Sequence, residues 1–337
     1  MFAKRVTAAI LAASTLAGAA SAQETATLKF AHVFPAEHYL WTHGGKVFAD
    51  AVAEATDGRI TFQVFPAAQL GKDYVSLLKS NLAESALLVP SYTPESLSLT
   101  SVSELPGLYS ASCEATAKLW EIARPGGVLN ADEYAPQGLH VLFVSTLPPF
   151  KVLTASQPIA EIADLAGLKI RANGAAMDKT VRTLGATPIQ VTAGELYDSV
   201  TRGTIDGGFF PFHSVPTYHL EEVFGFGVEG AQLGSGSVVF AMSDRAWSKL
   251  GPDDQAALTE AAAAAQQNLC QWLDAEEARV RDLLVAENGL QVTSLSPDQA
   301  VAWQEAVAAV ATDWAADLDR LGRPGTAVLE AFRDAAP

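Results

Sequence analysis

The stretch "GLKIRANG" (residues 167–174) places an arginine where a short strand should end. Leu168 and Ile170 alternate with Lys169 and Arg171, the period of a half-buried strand, and Gly174 breaks it before a helical pattern begins. Ligands of open α/β sheets bind beyond the carboxyl ends of strands, which is where Arg171 stands. A guanidinium stays charged when desolvated, and its planar fork matches a carboxylate. The plainer alternative is a surface arginine bridging to an acidic neighbour such as Asp164 or Asp178. Other chemistry is thinly represented. "GSGSV" (234–238) has the wrong spacing for a nucleophile elbow. Neither a P-loop nor a G-x-G-x-x-G opening a βα unit occurs, so phosphate and dinucleotide cradles are missing from the sequence. His32, His38 and His43 gather near the first loop without an H-E-x-x-H or a Cys/His pairing. No pair of carboxylates is set apart as an acid–base couple. No cofactor and no metal are expected, and no catalytic residue is assigned.

The elements that must position Arg171 alternate along the chain. Strand-like runs occupy 28–34, 57–65 (with Ile60, Phe62 and Val64 in strict alternation) and 85–89, and helical patterns occupy about 39–55 and 72–81. After a helical stretch near 113–122, two strand-like runs at 139–145 and 150–155 flank Pro148-Pro149. The pattern then restarts: strand 167–172, helix 175–184, strand 187–191, helix 194–201, strand 205–210. Residues 233–242 form another extended run. From Pro252 the chain is Ala-rich and helical to about Glu287, with further helices from Pro297. Two such alternating units predict two α/β lobes. The long helix carries Leu258, Leu269, Trp272 and Leu283 without a sustained heptad, so packing across both lobes is expected rather than a coiled coil.

Length and charge narrow the class further. The 337 residues open with Lys4 and Arg5, an apolar run from Val6 to Ala20, and Ala20-Ser21-Ala22, the pattern of a cleavable signal peptide over 1–22. That apolar run falls short of the roughly 20 residues a membrane span needs. The net charge of −16 becomes −18 once Lys4 and Arg5 are removed. A field of that sign opposes nucleic acid and anionic membranes, so any anionic ligand must be held by local positive groups. Cys113 and Cys270 sit in a chain expected to be exported, and the sequence leaves open whether they are bonded or are two buried thiols.

An ordered set of motifs carries a resemblance. "GLKIR" (167–171), "LGATP" (184–188), Gly194-Glu195, Tyr197, Gly203, Asp206-Gly207 and Glu222-Val223 follow one another. Outside that block lie "FAHVFPAEH" (30–38), "DGRITFQVFPAAQLG" (57–71), "ELPGLY" (104–109) and Trp247, Leu250, Asp254 and Gln255. Together they resemble the DctP-type solute-binding proteins of tripartite ATP-independent periplasmic (TRAP) transporters, over nearly the whole predicted mature chain.

The resemblance implies a two-lobed periplasmic binding protein, type II-like, with a ligand cleft between lobes and a long C-terminal helix crossing both. It implies lobe I at 23–148 plus 237–276 and lobe II at 149–236 plus 277–337. Arg171 would hold a carboxylate, and Lys151 occupies a position where many members carry a second basic residue, usually arginine. After "DG" many members read Q-E-N-P, whereas this chain has Gly208-Phe209-Phe210-Pro211, an apolar ring in place of an amide donor. Trp41, Tyr92, Phe150 and Phe212 fall near loops that should face the cleft. Together with His32, Glu37, Phe209, Phe210 and Asn173 they complete the expected ligand-binding set. Rings in place of amides favour an organic acid with an apolar or aromatic body over C4-dicarboxylates or hydroxylated sugar acids, whose polar groups would lack partners. Glu195 and Asp206 read as structural. The expected partners are the small organic acid and the TRAP permease subunits, with no nucleic acid and no insertion in the membrane. A binding protein serving a sensor or chemoreceptor, or a periplasmic enzyme acting on an organic acid, are the alternatives.

Overall fold

The computed structural model describes residues 25–336, so the predicted signal peptide lies outside the described residues. Among the described residues eleven strands and ten helices follow in order. The strands are β1 (Ala26–Ala31), β2 (Ile60–Phe65), β3 (Ser85–Leu88), β4 (Leu139–Thr146), β5 (Lys151–Thr154), β6 (Lys169–Ala172), β7 (Thr187–Gln190), β8 (Gly207–Phe210), β9 (Phe226–Glu229), β10 (Ser237–Ser243) and β11 (Gln291–Ser294). The helices are α1 (Lys46–Ala55), α2 (Tyr74–Lys79), α3 (Ser112–Ala123), α4 (Gly174–Thr183), α5 (Leu196–Thr201), α6 (Asp244–Trp247), α7 (Pro252–Glu287), α8 (Pro297–Val307), α9 (Val310–Arg320) and α10 (Gly325–Asp334).

Two sheets form two lobes. The first has the order β2-β1-β3-β10-β4, and the second β11-β9-β5-β8-β6-β7. In each, parallel βαβ pairing supplies one part (β1 with β2 and β3; β6 with β7 and β8) and an antiparallel strand is inserted beside it. Strand β4 of the first sheet runs through residues 147–150 into β5 of the second, and β9 of the second returns to β10 of the first. The two crossings hydrogen-bond to each other: Leu147 N donates to Gly236 O (2.8 Å) and Phe150 N to Gly234 O (2.9 Å).

Helix α7 is the third connection. Leu258, Ala262, Ala265, Leu269 and Leu273, spaced three or four apart, bury one stripe against the first sheet with Phe48, Phe143 and Phe240. Two turns later Val280 and Leu284 enter the core of the second lobe with Leu196, Phe212 and Leu220. One 36-residue helix therefore spans both lobes. Cys113 at the start of α3 is disulfide-bonded to Cys270 on α7, with Cα atoms 4.8 Å apart. Asp274, one turn on, accepts from the Ser112 and Cys113 amides and so caps α3. Among the described residues no helix is long and apolar enough to cross a membrane.

Candidate functional site: a cationic chamber between the lobes

Arg171 lies third in β6, between β7 and β8, and is 4% exposed. Its alternation partner Lys169 is exposed, so the face that carries both is open at one end of the strand and covered at the other. Two carbonyls fix the guanidinium: Nε donates to Val191 O (3.2 Å) and Nη1 to Phe209 O (3.1 Å). Gly208, opposite Arg171 in β8, permits this approach, since a Cβ there would stand 3.2 Å from the Arg171 Cβ. The Phe210 ring lies under the guanidinium, 5.2 Å from Cζ to ring centroid.

No acidic side chain among the described residues pairs with Arg171. Asp178 is taken by Arg182, and Asp164 caps the Ala160 and Glu161 amides. Burial lowers the Arg171 pKa, and the Tyr92, Tyr218 and Tyr39 hydroxyls oppose the shift. A buried cation without a counter-charge is costly, by several kcal/mol.

The free edge of the guanidinium faces a chamber of about 60 Å³. At about 10–15 Å³ per water, that is room for roughly four to six. From the second lobe come Arg171, Asn173, Met177, Phe210, Ser214 and Tyr218, and from the first Phe34, Tyr39, Leu40, Ser91, Tyr92 and Val238. Leu147, Phe150, Ser235 and Gly236 belong to the crossing strands, and Ser237 opens β10. Among the described lining residues Arg171 is the single cation, and none is acidic. The chamber opens past Phe34, Ser91, Tyr92, Asn173 and Tyr218 into a wider vestibule of about 530 Å³.

The lobes meet around the chamber. His38 Nε2 and Tyr218 OH are 2.8 Å apart, Tyr39 OH and Ser214 Oγ are 2.8 Å apart, and Ala193 N donates to Tyr92 OH at 3.2 Å. Burial lowers the His38 pKa to about 3, so its ring is neutral. Gly174 has φ +74°, and a Cβ there would lie 3.0 Å from Ser91 Cβ. The start of α4 thus touches the opposite lobe where a side chain would be strained.

Of the residues expected from sequence, the chamber brings together Arg171, Asn173, Phe210, Tyr92 and Phe150. The other six lie elsewhere, each for a physical reason. Lys151 points to the far side of the crossing strands, where Nζ is 3.2 Å from Glu277 Oε1 and donates to Pro149 O. Glu277 also accepts from the Phe212 and His213 amides and from His213 Nδ1. Burial alone would raise its pKa, but His213 and Lys151 hold it down to about 2. Lys151 is therefore already paired. Phe212 borders a separate surface cavity shared with Lys151 and Glu277 and fills the second-lobe core. Phe209 points to the opposite face of β8, into the core, and only its carbonyl meets Arg171. Trp41 packs behind the first loop, stacked on His32 at 5.3 Å, and His32 is fully buried with it. Glu37 is exposed on the loop surface.

Sequence reasoning missed Tyr39, Tyr218, Ser214, Ser235 and Ser237. The three serines had no signal beyond their neighbourhood. Tyr39 lies within the loop segment singled out from sequence, two residues from Trp41, where helical winding decides which ring faces the cleft.

Two lobes joined by paired crossing strands and one long helix, with an unpaired cation in the cleft, define a solute-binding protein. Residues 30–317 match the family described as bacterial extracellular solute-binding protein, family 7 (DctP), and the chain belongs to that family, whose members serve TRAP transport and are not enzymes. A solute-binding protein of Roseobacter denitrificans is 27% identical over 77% of this chain and 79% of its own length. The C4-dicarboxylate-binding periplasmic protein DctP of Rhodobacter capsulatus is 24% identical over 98% of this chain and 99% of its own. A TRAP solute-binding protein of Rhodoferax ferrireducens, solved in complex with copurified benzoate, has a TM-score of 0.82 at 25% identity and covers 92% of this chain and 97% of its own.

Proposed function

We propose that this protein is a periplasmic receptor that captures a compact organic monoacid with an apolar, ring-sized body and delivers it to a TRAP permease. The observation that carries this reading is the Arg171 guanidinium: buried, held by two carbonyls, without a counter-ion, and open on one edge to the chamber. A carboxylate there would take the Nη2 edge, with the Tyr92 hydroxyl and Asn173 Nδ2 as further donors. Asn173 Nδ2 is buried and without a partner.

Chamber chemistry supports one acid group, not two. A second carboxylate would lie among Phe34, Phe150, Phe210, Met177 and Val238 with no second cation to meet it. In this reading the ligand differs in class from the one that names the C4-dicarboxylate-binding relative and is of the same class as the benzoate copurified with the Rhodoferax ferrireducens protein. In this reading the lobes are 23–148 plus 237–276 and 149–236 plus 277–337, and residues 1–22 direct export.

The test is a thermal-shift screen of the purified protein against one-ring acids, aliphatic monoacids, C4-dicarboxylates and sugar acids, followed by calorimetry. At a hundredfold excess over Kd a binder adds about 2.7 kcal/mol of stability. One-ring monoacids should give that shift. A response to dicarboxylates alone would overturn the reading.

A further inference from the structure

Two sets of polar groups around the chamber differ in hydrogen-bonding character, beside hydroxyls such as Tyr39, Ser214 and Ser91 that can donate or accept. On one side stand donors without acceptors: the free edge of Arg171, Asn173 Nδ2, and the Tyr92 hydroxyl, whose oxygen already accepts from Ala193 N. On the other stand two serines, Ser235 on the crossing strand and Ser237 at the start of β10, whose protons are already committed. Ser235 Oγ donates to Leu147 O at 2.7 Å. Ser237 Oγ donates to Glu104 Oε1 at 3.2 Å, and that same oxygen accepts the Ser237 amide at 3.3 Å.

Glu104 is 1% exposed. An oxygen that accepts a backbone N–H keeps carbonyl character whether or not the carboxyl is protonated, since the proton goes to the other oxygen, Oε2. The Ser237 proton is therefore drawn to Glu104 in either state, and Ser237, which lines the chamber, has only lone pairs left to offer there. Each hydroxyl has one proton and two lone pairs. With the proton spent on the protein, Ser235 and Ser237 can only accept.

We infer that the bound acid carries a hydrogen-bond donor, a hydroxyl or an N–H, on the part of its body away from the carboxylate, and that Ser235 and Ser237 read it. This rests on the monoacid reading above and names its ligand more closely: a hydroxylated or amino-substituted ring acid. An unsubstituted ring would leave both serine oxygens desolvated against carbon, and an ether or halide would set acceptor against acceptor.

The experiment measures Kd of the full-length mature protein by calorimetry for benzoate, for 3- and 4-hydroxybenzoate, and for their methyl ethers, then repeats the series with Ser237→Ala and Ser235→Ala. At least one hydroxybenzoate should bind about tenfold more tightly than its methyl ether and than benzoate, the scale of one net hydrogen bond. That ratio should fall to within about twofold of one in at least one of the serine variants. A methyl ether that binds as tightly as its phenol overturns the inference, and so does a ratio unchanged in both variants. If a variant does not fold, the ligand series on the unaltered protein still decides. Equal binding of all five acids defeats this inference but leaves the monoacid reading standing, whereas binding of none defeats both.

Discussion

Arg171→Met is the substitution that isolates the anchoring charge. Methionine keeps much of the arginine's length and apolar stem and removes only the guanidinium. Breaking a buried ion pair by deleting one partner costs about 3–5 kcal/mol, because the remaining charge stays desolvated. At about 1.4 kcal/mol per tenfold, the ligand's Kd should rise about 140-fold to about 4,000-fold. The ligand-free protein should respond in the opposite sense. It loses a buried cation that has two carbonyl partners but no counter-charge, so its melting temperature should hold or rise. Calorimetry gives the first quantity and a melting curve without ligand gives the second. Arg171→Lys, which keeps charge and loses the fork, should fall between. A Kd within threefold of the unaltered protein would refute the anchoring role. Lost binding together with a melting temperature several degrees lower would show that Arg171 is holding the fold instead.

Tyr218→Phe removes the partner of His38 Nε2 across the cleft, leaving a buried ring nitrogen unsatisfied at about 1–3 kcal/mol. Because that cost arises only with the lobes together, Kd should weaken about fivefold to about a hundredfold, and small-angle scattering should show a larger ligand-free radius. Reducing the disulfide, or replacing both Cys113 and Cys270 by serine, should lower stability by about 2–5 kcal/mol, since it closes a loop with a sequence separation of 157; an unchanged urea midpoint would contradict this. The pH profile should be a plateau with two falling limbs. Burial lowers His32 and His140 to about 4 and His38 to about 3 from 6.5. Their contribution is complete above 6.5 and is lost as pH falls toward those values, joined below 4.5 by Glu277. Burial raises Glu104 from 4.5 to about 8, so its contribution is complete below 4.5 and is lost as pH rises through 8. Between 4.5 and 6.5 the two trends oppose each other. Glu133, which burial raises to about 7, adds to the same limb, so Glu104→Gln should make the alkaline limb shallower and leave the acid limb unchanged, and a melting temperature that climbs steadily from pH 6.5 to 8 would rule this out.

Much of the fold was legible because periodicity reports burial. The alternation of Ile60, Phe62 and Val64 marked β2, and the Ala-rich pattern from Pro252 to Glu287 marked α7 with its correct ends. Strands β9 ("FGVE") and β11 ("QVTS") were not foreseen: each is four residues long, and one carries a glycine while the other sits at a sheet edge. Their assignment depends on partners distant in the chain, which local pattern does not contain. The disulfide was undecidable for the same reason, since only the packing of α3 on α7 brings the two cysteines together.

In the site, residue type was a better guide than side-chain direction. Arg171 could be placed because strand end and charge are both local properties. Strand parity then separates Phe210 from Phe209: adjacent residues of β8 face opposite sides, and nothing in "GGFF" says which side is the cleft. Along 32–41 the chain turns from strand to helix, so Phe34, Tyr39 and Leu40 line the chamber while His32, Glu37 and Trp41 do not. Lys151 is paired with Glu277, 126 residues later in sequence, a contact that its own position in the chain could not reveal.

These placements bear on how capture is coupled to closure. The contacts that hold the lobes together at the cleft are hydrogen bonds between uncharged groups, His38 with Tyr218, Tyr39 with Ser214 and Ala193 with Tyr92. Each contributes about 1 kcal/mol net. Closure also carries Arg171 out of water without a counter-ion, which costs several kcal/mol. The two terms are of similar size, so neither arrangement of the empty protein is strongly favoured. An anion changes only the second term: it binds the closed lobes far better than the open ones, and that differential affinity is what can shift the population. In this reading an unpaired buried cation is what lets an acidic protein select an anion, and the bound anion tips a near-balanced equilibrium toward closure.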